Sequence, residues 1–163
     1  MSSKVSVSFI SSTLILLSRA LIDNLVITVA EKGFQGVDID FEYILAEDRL
    51  AFVNFVWEVR TAINQLGYPV TVALAPKTSD NQPGLLYEGK DYALLGEAAD
   101  EVLLMTYEWG YTYGPPMAVA PINSVRRVVE YALTRISREK INLGIPNYGY
   151  DLSLIHISEP TRQ

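Results

Sequence analysis

Four times along this chain a helical stretch gives way to a short apolar run, and that alternation restricts the fold more than any other feature. From about Ser12 to Lys32, Leu14, Leu17, Leu21, Leu25 and Val29 recur at helical spacing, and Gly33 stands at the stop position. Residues 36–42 switch to period two, the signature of a strand. A second helix is predicted from about Glu47 to Leu66, with Leu50, Val53, Val56, Val59 and Ile63 as its stripe and Gly67 after it. Trp57, in the middle of that helix, is expected in the core. Val70–Ala75 reads as a strand, Asp91–Ala99 as a weak short helix and Glu101–Tyr107 as a third strand. Pro121 opens a helix with Val125, Val128, Val129, Ala132 and Ile136 on one side, and Ile141–Pro146 is a fourth strand. Short apolar strands between helices run parallel and are covered by those helices. A doubly wound open sheet and part of an eight-stranded barrel both satisfy the pattern. No GxGxxG or Walker loop follows a strand, which weakens the first. The second implies an incomplete domain, because a whole barrel takes about 250 residues.

Composition narrows the chemistry. Thirteen basic and 19 acidic residues give a net charge of -6 with no basic block, so a nucleic-acid partner is not expected. There is no cysteine, which excludes disulfides and thiolate metal sites. His156 is the single histidine, so any Ser-His or Cys-His mechanism would depend on it. No run approaches the roughly 20 apolar residues of a membrane span. The first residues, MSSKVSVSFISSTLILLS, have the outline of a weak signal peptide, but serines interrupt the apolar patch and no small-x-small cleavage site follows. They read better as the start of an amphipathic helix.

The strand GVDIDFEY places Asp38, Asp40 and Glu42 on one face and Val37, Ile39 and Phe41 on the other. Like charges about 6.6 Å apart at an effective dielectric near 20 repel by about 2.5 kcal/mol. That is enough to lift a carboxylic acid in such a row from about 4.3 toward about 6. The arrangement is costly as structure and useful as chemistry, since it keeps one carboxyl protonated beside an ionised neighbour. Two other readings remain open on the residues alone: a solvated acidic face, and a calcium site. Calcium loops usually have Gly and polar spacers, whereas these spacers are Val, Ile and Phe.

GVDIDFEY resembles the D-x-x-D-x-D-x-E strand signature of glycoside hydrolase family 18, the chitinase-like (β/α)8 TIM barrels. The likeness continues through VTVALAPKTSDNQPGLLYEGKDYALLG, EVLLMTYEWGYTYGPPMAVAPI and INLGIPNYGYD, and spans about Arg19 to Asp151. Over that length the chain is similar to bacterial spore-cortex peptidoglycan hydrolases, the cortical-fragment-lytic N-acetylglucosaminidases commonly fused to LysM modules.

The resemblance implies an α/β fold, about four central strands of a TIM barrel with their helices, in residues 1–151. It implies Glu42 as the acid/base that protonates the leaving sugar oxygen. Asp40 would hold the substrate's N-acetyl group, whose oxygen attacks the anomeric carbon, an exception to the two-carboxylate scheme. Asp38 would lie deeper and buffer Asp40. Met105 and Tyr107, in a segment resembling M-x-Y-D, would share a strand face, with the Tyr107 hydroxyl toward the acetamido group. Glu108 stands where the family usually has Asp, and Gln35 occupies the first Asp position of the signature. The strands expected before Gly36, and the last strand with its sugar-stacking tryptophan, have no counterpart here. The expected substrate is peptidoglycan or a chitin-like glycan, with no metal or organic cofactor and no nucleic-acid or membrane partner. The full-length parent would be a monomer of the spore envelope or the extracellular space, and this chain by itself inactive. A chitinase or chito-oligosaccharide hydrolase is the nearest alternative. A non-catalytic, lectin-like barrel is the other, against which Glu42 speaks.

Trp109, Tyr111, Tyr113, Tyr148 and Tyr150 occupy loops at strand ends, where aromatic faces can stack on pyranose rings or pack on the rim. Lys77 and Asn147 end strands on the same side and are candidate substrate contacts. Residues 152–163 contain LSLIHISEPTR, which resembles the in-frame translation of a sequencing adapter. They are expected to be a non-native tail, leaving His156 without chemistry.

Overall fold

The computed structural model of the chain describes residues 4–110 and 116–149. Its helices are α1 (Lys4–Lys32), α2 (Arg49–Asn64), α3 (Tyr92–Ala98) and α4 (Ile122–Leu133). Between them lie β1 (Val37–Ile39), β2 (Val70–Leu74), β3 (Glu101–Leu104) and β4 (Ile141–Leu143). The strands form one sheet in chain order, β1-β2-β3-β4. Every pairing is parallel: Ile39 lies beside Val72, Val72 beside Val102, and Val102 beside Ile141. A doubly wound sheet reverses direction at a switch point, whereas unbroken succession is the order of consecutive barrel units. The described residues are therefore four such units.

Period-two alternation sorts the two faces of the sheet. Val72, Leu74, Val102 and Leu104 are fully buried in one cluster with Val56, Val59 and Ile63 of α2, Leu95 of α3, and Val128 and Ala132 of α4. On the other face Asp38, Thr71, Leu103 and Asn142 stay exposed or half-exposed.

The helix ends follow from local chemistry. Gly33 and Gly67 take left-handed φ angles of 69° and 81° just past α1 and α2, a conformation that costs Gly nothing. The Gly67 N–H donates back to the Asn64 carbonyl at 2.9 Å. Asp91 caps α3 by accepting from the Leu94 N–H at 3.1 Å. Orphan carbonyls at the other end of α3 are taken up by Arg60, on Glu97 at 2.8 Å, and by Lys140, on Gly96 at 2.8 Å and Ala99 at 2.9 Å. Asp100 ties this end of the sheet together: one oxygen meets Arg60 at 3.1 Å, the other accepts from the Val70 N–H and from Asn64, both at 2.8 Å.

Several expectations shift. The strand read over residues 36–42 pairs only through Ile39, and the third and fourth strands also stop short, at Leu104 and Leu143. Alternation records which face a residue presents, not how far the neighbouring strand follows it. Glu47 and Asp48 form a turn of 3-10 helix before α2, and Pro121 flanks α4 rather than beginning it. The stripe of α2 is rotated: Phe52 is buried and Leu50 is 59% exposed. Trp57 is not core; it is 55% exposed, because it sits about 100° round the helix from buried Val56. Ile63→Ala is accordingly expected to cost about 2–5 kcal/mol in a denaturant titration, and Trp57→Ala less than about half of that. Leu14 and Leu17 lie outside the described side chains. Among the described residues no helix is long and apolar enough to cross a membrane.

Candidate active site

The acidic segment is aimed by its apolar neighbours. Ile39 is buried against the helices, and Phe41 stacks on Phe52 and Phe55 with ring centroids 5.9 and 5.5 Å away. With Ile39 and Phe41 turned toward α2, Asp38, Asp40 and Glu42 stay out of the core, and all three are exposed. An inert acidic face would be exposed too. What distinguishes this one is a phenol, that of Tyr107, on which its charges act.

Tyr107 arrives from the end of β3. Its ring lies over Gly144, where a Cβ would overlap it, so the fourth unit leaves a gap that the phenol fills. Thr106 holds the junction by donating to the Gly144 carbonyl at 3.1 Å. Burial pushes the Tyr107 hydroxyl above its ordinary value, and the carboxylates of Asp40, Glu108, Asp38 and Glu42 push it the same way. The phenol therefore stays a neutral donor in the field of all four acids.

Asp38 is the carboxyl that crowding lifts. Although the residue is exposed, partial desolvation raises it first and the neighbouring Asp40 second. A folded-state value above the ordinary 3.8 means that stability is lost as pH rises through that value. Asp38→Asn should thus melt higher than the parent near neutral pH, with the gain vanishing below about pH 3.8 in a pH series of thermal unfolding.

Two residues beside the acids have left-handed backbone without being glycine. Tyr43, next to Glu42, has φ 49°, and Glu108, next to Tyr107, has φ 65°. Such conformations cost of order 1 kcal/mol or more and collect at functional sites. Glu108 also accepts a hydrogen bond from the Tyr148 hydroxyl at 3.1 Å, which joins the loops after β3 and β4. The loop after β1 is fixed in its turn by Gly89, whose hydrogen faces the Ile44 carbonyl so closely that no Cβ fits.

The remaining candidates divide. Met105 is half-buried at the end of β3, its N–H bonded to the Leu74 carbonyl at 3.0 Å, and Asn147 is exposed beside Tyr148. Trp109 packs on the core and lines a cavity of about 350 Å³ with Pro76, Thr78, Gln82, Tyr87 and Arg127. None of the three acids lines that cavity, nor a second of about 360 Å³ beside Trp57. Lys77 differs from its expected role as a substrate contact. It is 3% exposed, and its ammonium donates to the carbonyls of Lys90, Tyr87 and Asp80 at 2.9, 3.2 and 3.3 Å. It braces the loop that follows β2 from within. Tyr111, Tyr113, Tyr150, His156 and residues 152–163 lie outside the described residues. Among the described residues no group of three or more Asp, Glu or His side chains is arranged to hold a metal ion.

One charged neighbour was missed on reading the sequence. Lys90 is 1% exposed and lies close enough to Asp40 and Glu42 to feel both charges. Nothing in the sequence sets this lysine apart from a surface one.

Comparison with known proteins bears on the same segment. The chain is 47% identical over 136 residues to the cortical fragment-lytic enzyme of Bacillus subtilis (strain 168), covering 83% of this chain and 32% of the relative. It thus spans about a third of the length of that curated relative. The crystal structure of the spore cortex-lytic enzyme SleL from Bacillus megaterium QM B1551 superposes with a TM-score of 0.73 at 41% identity, over 78% of this chain and 29% of that one. A chitinase from Chromobacterium violaceum ATCC 12472 gives 0.75 at 30% identity, over 79% and 41%. The pattern of the glycosyl hydrolases family 18 matches residues 14–160, so the chain belongs to that glycosidase family.

Proposed function

We propose that the protein carrying this chain is a retaining β-N-acetylglucosaminidase of spore-cortex peptidoglycan. The observation that carries the reading is that the charges of Asp40, Glu108, Asp38 and Glu42 all act on one phenol, Tyr107, with Asp40 and Glu42 just past the end of β1 and Tyr107 and Glu108 just past the end of β3. This is the end at which barrel enzymes do their chemistry.

Glu42, exposed beyond the last paired residue of β1, donates a proton to the departing sugar oxygen. The substrate's own acetamido oxygen closes on the anomeric carbon from the other face. Asp40 accepts the amide N–H and stabilises the positive charge that develops, while Tyr107 donates to the acetamido oxygen. Asp38, lifted by desolvation and by Asp40, takes up a proton more readily than an ordinary aspartate and relieves repulsion in the row. Water then attacks the cyclised intermediate, with Glu42 as base, and configuration is retained.

Chitin is the second substrate class, favoured by the structural likeness to the Chromobacterium violaceum chitinase. The two separate in an assay of a closed eight-stranded barrel containing this segment, offered cortex muropeptides and chito-oligosaccharides in parallel. Release of N-acetylglucosamine ends from the muropeptides, with kcat/KM at least about 10-fold above that for chito-oligosaccharides, is expected; the reverse ratio assigns chitin. No hydrolysis of either, nor of a chromogenic β-N-acetylglucosaminide, refutes the enzymatic reading.

A further inference from the structure

The β1–β2 seam contains a cation that the mechanism above does not use. Pairing between these strands ends at Ile39 and Val72. Carbonyls along a strand point alternately to its two neighbours. The Leu74 carbonyl is taken by the Met105 N–H on the β3 side, so that of Ala73 points toward β1. Its partner there is the Lys90 ammonium, at 3.2 Å, in the place where the next ladder bond of β1 would form. Asp40 is the residue that follows Ile39, so the charge enters the sheet at the level of Asp40. The backbone confirms the approach, because adjoining Gly89 is pressed against the Ile44 carbonyl, two residues beyond Glu42.

From this placement we infer that Lys90 is a positioning residue, a buried counter-charge that holds the Asp40–Glu42 segment for proton transfer without itself touching the sugar. The inference rests on the proposed glycosidase reading for its catalytic consequence, but not for the placement of the ammonium on the Ala73 carbonyl. An ammonium has three donors, and among the described residues its hydrogen-bond partner is the Ala73 carbonyl. A fully buried cation with one neutral acceptor would be costly without nearby anions. Burial pulls Lys90 below the ordinary 10.5, while Asp40 first and Glu42 second oppose that pull. Other charged groups around this corner are Lys77, whose ammonium donates to the Lys90 carbonyl, Asp91, Asp80 and Arg49, which act on Lys77, and Asp38, Glu108 and Tyr107 on the acid side.

Two measurements test this. In the 163-residue chain, the lysine side-chain carbons are followed by NMR through an alkaline titration. Asp40→Asn is expected to lower the Lys90 midpoint by about one pH unit and Glu42→Gln by less, since each removes an opposing anion. A midpoint that neither variant moves overturns the counter-charge role. In the closed barrel, Lys90→Met is expected to lower kcat by about 10-fold with KM nearly unchanged, and to carry the acid limb of the pH–rate profile about one unit upward. A merely structural lysine would leave that limb in place, and an unmoved limb in a folded variant overturns the positioning role. Lys90→Gln, which keeps a donor for Ala73, serves if the Met variant fails to fold. Should the unmodified barrel hydrolyse nothing, the glycosidase reading fails, while the NMR titration still decides whether lysine and acids are coupled.

Discussion

Replacing Glu42 by Gln in a closed barrel that contains this segment is expected to lower kcat by at least about 100-fold, with KM changed little. Gln is nearly isosteric and still accepts hydrogen bonds, but it has no proton to give to a leaving alkoxide. The residue is exposed and lies beyond the paired part of β1, so the substitution removes no packing and the variant should fold as the parent does. The defect should also depend on the leaving group. A muropeptide leaves as a poor alkoxide and needs the acid, whereas an activated aryl glycoside departs with little help and should show a smaller loss. Steady-state kinetics on both substrates read the difference directly. Turnover unchanged on the natural-type substrate would falsify the assignment of Glu42 as the acid.

The second large effect concerns stability. Lys77→Met should cost about 3 kcal/mol in a denaturant titration, because it removes three charge-assisted hydrogen bonds and leaves the carbonyls of Asp80, Tyr87 and Lys90 without that donor. The methionine chain fills nearly the same volume, so the loss reports the ammonium rather than a cavity. Burial lowers the Lys77 value below the ordinary 10.5 while Asp91 and Asp80 partly restore it. A surface lysine whose only business was a substrate would change stability by less than about 0.5 kcal/mol. A shift that small would return Lys77 to the role first expected of it.

The fate of Lys77 shows where sequence reading succeeded and where it stopped. The order of elements was legible because period two and period 3.6 are imposed by backbone geometry on any chain that buries one face. Asp38 was legible for the same reason, since on a strand it cannot share a side with buried Ile39. Burial of single polar side chains obeys no such period. Lys77 and Lys90 are interior only because the loop after β2 folds back over its own strand, and a glycine at 89 gives no notice of the carbonyl that will press on it. Trp57 failed for a related reason: large apolar size raises the odds of burial, but its angle on α2 decides, and an adjacent valine already occupied the inward position. The left-handed backbones at Tyr43 and Glu108 were invisible because neither residue type favours them; the surrounding contacts impose them.

The tie made by Asp100 with Arg60, Asn64 and the Val70 N–H lies at the opposite rim of the sheet from Glu42. Its contribution to stability is thereby kept apart from the acidic segment. Substitutions that tighten or loosen that lower clasp can adjust how long the molecule lasts in heat or storage without rewriting the upper edge that holds Asp40 and Glu42.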